Sequence, residues 1–148
     1  METESLMQND WVQLKKVVVF CKVREILDGK ISGVTLSGSQ FNVGSQLVKP
    51  VDLCRDILFR TGFWLSNNRK FKKSSKSSNA TFEYNLDTSI LTVSVGEPLN
   101  FVNKHEVKYL HELQQLYRMY GKEEIPIDLM RNKSSEYNRI SYKERKQV

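Results

Sequence analysis

The chain of 148 residues is long enough for one domain with a modest core. Its 39% hydrophobic and 27% charged content is ordinary for a globular protein with some disordered length, and no apolar run approaches membrane-spanning length. The opening Met-Glu-Thr-Glu-Ser is acidic and polar, unlike a secretory signal, so a cytoplasmic protein with no membrane partner is expected.

The net charge of +6 is local in origin. Between Ser66 and Ala80 stand Arg69, Lys70, Lys72, Lys73 and Lys76 with no acid, while the rest of the chain is nearly balanced. Two cysteines, Cys21 and Cys54, make no disulfide framework and read as buried free thiols.

In chain order, residues 1–9 read as a frayed terminus. Trp11 to Leu14 and Val17 to Ile26 read as strands, the second apolar on both faces at first and alternating later. Asp28-Gly29 is a hairpin turn signal. Ile31 to Leu36 returns as a strand with a bulge expected at Gly33, and Phe41 to Val43 and Gln46 to Val48 follow as short strands. Pro50 is expected to stop strand pairing, and Val51 to Thr61 to form a short helix capped by Asp52 and ended by Gly62.

Phe63 to Leu65 opens a second sheet region. Ser66 to Ala80 is low in complexity and reads as a mobile hairpin tip. Thr81 to Tyr84 and Ile90 to Val95 alternate as strands around the turn Leu86 to Ser89. Asn103 to Gly121 carries the clearest helical pattern: Asn103 and Glu106 have capping-box spacing, and Val107, Leu110, Leu113, Leu116, Tyr117 and Tyr120 share one face. Gly121 supplies the residue able to end it. Ile125 to Ile127 is a candidate strap, and 128–148 a polar tail, disordered or folding on a partner. The fold class expected is α+β, a single domain over 10–127: a small curled, mainly antiparallel sheet or partial barrel with one short and one long helix, a basic hairpin loop and a flexible C-terminal tail.

The order of these pieces resembles a family of small uncharacterised proteins encoded by phages and prophages of Bacteroidota. Those proteins end in a histidine-x-leucine-glutamine-x-leucine-tyrosine helix and a glycine-glutamate-glutamate turn. The matching positions are His111, Leu113, Gln114, Leu116, Tyr117, Gly121, Glu123 and Glu124. The resemblance spans roughly Asp10 to Ile127, and it departs where Asn9-Asp10 stands in place of a glycine-asparagine pair. It implies an accessory phage gene product, a class that includes inhibitors of host defence such as anti-CRISPR proteins.

No constellation for catalysis is visible, and a non-enzymatic protein without cofactor or metal is expected. His105 and His111, six apart on one helix, would point about 120° from each other and so cannot share a metal. Cys54 and His111 would meet only if two helices packed together, and Cys54 reads more simply as core. The basic loop carries the functional weight. Arg69, Lys70, Lys72, Lys73 and Lys76 offer cations to phosphates, and Phe71 offers a ring to a base. A solvated loop with no partner, or a loop meeting an acidic protein surface, fits the same residues. Tyr120, Arg131, Tyr137, Arg139, Tyr142, Lys143 and Arg145 are candidate partner-binding residues on the helix and tail. The expected function is contact with host nucleic acid or a ribonucleoprotein, as in an inhibitor of a CRISPR effector. The alternative is a protein–protein inhibitor or adaptor that uses the helix face and tail alone.

Overall fold

A computed structural model describes residues 5–15, 19–67, 69–96 and 101–128. The chain clusters into two compact units, Met1–Asp52 with Tyr109–Gln115, and Leu53–Lys108 with Leu116–Val148. Each contains one five-stranded antiparallel sheet, open at its edges, and with two helices among the described residues the fold is α+β. The second sheet region expected from Phe63 onward is the second of these sheets, and neither sheet closes into a barrel.

The first unit holds β1 (Trp11–Leu14), β2 (Phe20–Leu27), β3 (Lys30–Thr35), β4 (Gln40–Gly44) and β5 (Val48–Pro50), in the order β4-β3-β2-β1-β5. Asp28 and Gly29 both take positive φ, 51° and 73°, so the hairpin they close has the twist that right-handed strands require. The bulge lies on β2 between Val23 and Glu25, not at Gly33. Gly33 is needed for another reason: a Cβ there would stand 1.9 Å from the Lys22 carbonyl oxygen. Ser45–Leu47 is a 3₁₀ turn, and Pro50 pairs with Val12 at the sheet edge instead of ending pairing. An edge position tolerates its missing N–H. Val12, Cys21, Val23, Ile31 and Val48 are fully buried, with Leu6 nearly so.

The second unit holds α1 (Arg55–Arg60), β6 (Trp64–Asn67), β7 (Lys70–Ser74), β8 (Thr81–Asn85), β9 (Ile90–Val95) and β10 (Phe101–Glu106), in the sheet order β10-β9-β8-β7-β6. α1 is shorter than predicted. Cys54 occupies its N-cap, and Asp52 bridges to Tyr109 within the first unit instead of capping. Gly62, at φ 90°, ends the segment as expected.

The long helix α2 spans Leu110–Gly121; the stretch predicted as its first turns, Asn103 to Glu106, is the edge strand β10. The cap sits further on, where the Glu112 carboxylate accepts the Tyr109 N–H at 3.0 Å, one half of a capping box. Leu110–Gln115 clusters with the first unit and Leu116–Gly121 with the second. In the first unit the buried Gln114 acts as a surrogate peptide group. Its Oε1 accepts the Trp11 N–H and its Nε2 donates to the Asn9 carbonyl, each at 2.9 Å. In the second unit Tyr117 packs on Phe82 with ring centroids 4.7 Å apart. Among the described residues no helix is long and apolar enough to cross a membrane.

Candidate nucleic-acid interface

The basic stretch is a strand, not a mobile tip. Lys70–Ser74 forms β7, paired with β6 on one side and β8 on the other. Alternation then divides its cations between two faces. Phe71 and Lys73 point inward. Phe71 is 1% exposed and meets Phe59 edge-on at 5.6 Å, so it is core and presents no ring to a base. Lys73 holds its ammonium over the Tyr117 ring, with Nζ 5.8 Å from the centroid. Burial lowers its pKa; Glu123 opposes that shift and Lys76 adds to it.

Lys70 and Lys72 point to the opposite face and straddle the Glu83 carboxylate, Nζ to oxygen 3.8 and 3.5 Å. Arg69 pairs with Asp87 at 2.8 Å, both side chains more than half exposed. Lys76 lies exposed in the turn after β7, where its backbone N–H and the Ser77 hydroxyl both donate to Glu123. Ser75 and Ser78 in the same turn donate to the Gly121 and Tyr120 carbonyls and so close the end of α2. These hydrogen bonds, first of all that from Lys76, hold the Glu123 carboxyl below its usual pKa.

The strand register extends this face across the sheet. Trp64 pairs with Lys72, Lys72 with Glu83, Glu83 with Thr92, and Thr92 with Lys104, so these side chains form one row. A second row runs Lys70, Asn85, Ile90, Glu106. Side chains on this face are exposed or half-buried, whereas Phe71, Phe82, Tyr84, Leu91 and Val93 on the other are buried. Trp64 is 40% exposed. Trp64 and Lys104 were not singled out in the sequence. Their signal was register: each lies across from a polar residue on a strand whose alternate positions are core.

Of the partner-binding candidates, Tyr120 is half-buried, its hydroxyl accepting from Asn103 Nδ2 at 3.3 Å and its ring 5.8 Å from His105. Arg131, Tyr137, Arg139, Tyr142, Lys143 and Arg145 lie outside the described residues. The two histidines are on different elements, His105 on β10 and His111 on α2. His111 is buried in the first unit and stacked on Tyr109 at 5.9 Å. Cys21 is buried as expected, but Cys54 is exposed. Among the described residues no group of three or more His, Cys, Asp or Glu side chains is placed to hold a metal ion. The first unit has a shallow concavity of about 670 Å³ on β2–β4, lined by Arg24, Ser32, Gln40, Phe41 and Asn42, with no convergent charge. Compared with known proteins, the chain matches no family model, no curated protein and no solved structure.

Proposed function

We propose that this is a non-enzymatic binding protein whose second unit contacts the phosphate backbone of a nucleic acid, free or within a ribonucleoprotein. The observation that carries the reading is the placement of Lys70 and Lys72 on the outer face of β7. Their only carboxylate partner there is Glu83, at 3.8 and 3.5 Å among the described residues. Such pairs in solvent are worth about 0–1 kcal/mol, so a phosphate can displace them readily. Arg69, exposed beside Asp87, and Lys76, in the adjoining turn, extend the cationic edge. Taken with the phage-family resemblance, this supports an inhibitor that works in the host cytoplasm on a defence ribonucleoprotein such as a CRISPR effector.

The test is a pull-down from host lysate with and without nuclease, comparing the wild-type chain with Arg69→Ala/Lys70→Ala/Lys72→Ala/Lys76→Ala. Lys73 is left intact because it packs on Tyr117. Recovery of RNA, DNA or a ribonucleoprotein by the wild type only supports the proposal. Recovery of one nuclease-resistant protein by both chains overturns it in favour of a protein–protein inhibitor. On the described part of α2, that second reading has one strongly exposed apolar side chain to use, Met119 at 56%.

A further inference from the structure

We infer that the ligand of this face is single-stranded, and that Trp64 stacks on one of its bases. The inference rests on the phosphate-contact reading above and adds the ligand's class. Phe71, the aromatic nearest the cations in sequence, is sealed in the core. Trp64 takes its place in space. It pairs in register with Lys72 on the same face, and 40% of its surface is open. Directly opposed side chains in antiparallel strands stand about 5 Å apart at Cβ. A base lying on the Trp64 indole therefore carries its phosphate to the Lys72 ammonium.

The row continues from Lys72 through Glu83 and Thr92 to Lys104 at the far edge strand. Four inter-strand steps at about 4.8 Å make a track of about 19 Å from Trp64 to Lys104. Along it, cations at either end flank hydroxyl donors: Thr92 in the row itself, and Thr81 and Ser94, which pair in the next row. Among the described residues, Glu83 and Glu106 are the carboxylates on this face, and Glu106 pairs with Lys108 at 3.2 Å. A duplex hides the faces of its bases and leaves only phosphates for a flat sheet to meet. A single strand offers both phosphate and ring. RNA and DNA share this chemistry.

The test is fluorescence anisotropy of the full chain with labelled 12-mers of dT and U and a duplex of equal length, across a salt series. The variants are Trp64→Ala, Trp64→Phe and Lys70→Ala/Lys72→Ala, with circular dichroism checking that each folds. The expected result is single strands bound at least 10-fold more tightly than duplex by the wild type. Trp64→Ala should lose 5- to 100-fold for single strands while keeping its duplex affinity and salt slope. Trp64→Phe should retain most of the affinity yet lose the tryptophan quenching seen on binding. Lys70→Ala/Lys72→Ala should weaken every ligand and flatten the salt slope. If Trp64→Ala binds all ligands as the wild type does while the lysine variant fails, stacking is refuted and phosphate contact survives. Equal affinity of the wild type for duplex and single strand overturns the inference. Binding of none of them at low salt overturns both readings.

Discussion

Burial pushes the Cys21 thiol up to about 11, because a thiolate there would sit among Val12, Val23 and Ile31 with no water to solvate it. Cys54, by contrast, is exposed at the start of α1. Iodoacetamide at pH 8 should therefore label native protein once, at Cys54, and twice only after denaturation; mass spectrometry reads the count. His111 gives a second prediction at this scale. Burial lowers its pKa below 6.5, and the nearby Asp10 and Glu112 oppose but do not cancel that shift. The unfolded chain then binds the His111 proton more readily than the folded one. The stabilising difference is complete above the unfolded pKa of about 6.5 and is lost as pH falls from there through the lowered folded-state pKa. Thermal midpoints should drop between pH 7.5 and 5.5, and His111→Gln should flatten that drop.

Among the elements, α2 depends on a side chain that speaks for a backbone. Gln114 satisfies the part-buried N–H of Trp11 and the carbonyl of Asn9 at once. Gln114→Ala strands both and should cost about 2–4 kcal/mol, read from the urea midpoint. Gly33→Ala should cost about 1–3 kcal/mol or more, since the clash is with backbone and not with a flexible side chain. Most strands were legible in the sequence, because Asp28-Gly29, Gly38 and the alternation of β8 and β9 each encode local geometry. The start of α2 was not. Asn103 and His105 are inward positions of β10 filled by polar side chains that meet Tyr120, so the strand lacks the alternation that would mark it. The Asn103-x-x-Glu106 spacing then imitates a helix cap. β7 was hidden in the same way. Its inward Lys73 sets its ammonium over the Tyr117 ring, while a lysine in the sequence reads as solvent-facing. The cations of the candidate site were visible in the sequence; the division of those cations between two faces, and the company of Trp64, required the register.

For the molecule as a whole, +6 is a modest charge that matters because five cations lie along β7 and its flanking turns, four of them not turned inward. Replacing Arg69, Lys70, Lys72 and Lys76 by alanine lowers the formal charge from +6 to +2. Their ion pairs are solvent-exposed, so the chain should lose no more than about 2 kcal/mol in stability while its retention on a heparin column falls sharply. Glu83→Gln should act in the opposite sense. It frees Lys70 and Lys72 from their competitor and should raise nucleic-acid affinity several-fold at low salt, as titration against an oligonucleotide would show.

The surrogate peptide of Gln114 also fixes a timetable for synthesis. The first unit is written in two instalments, with the second unit's strands between them. After Asp52 has been made, about 60 further residues separate the ribosome from Gln115. At about 5–20 residues per second, that is roughly 3–12 seconds in which the residues of β1 to β5 have been made and Gln114 has not. The partners Trp11 and Gln114 are 103 positions apart, so the loop they close is among the longest the chain can make. The nascent first sheet therefore waits, with the Trp11 N–H and the Asn9 carbonyl still open to water, or to any other chain that offers an amide.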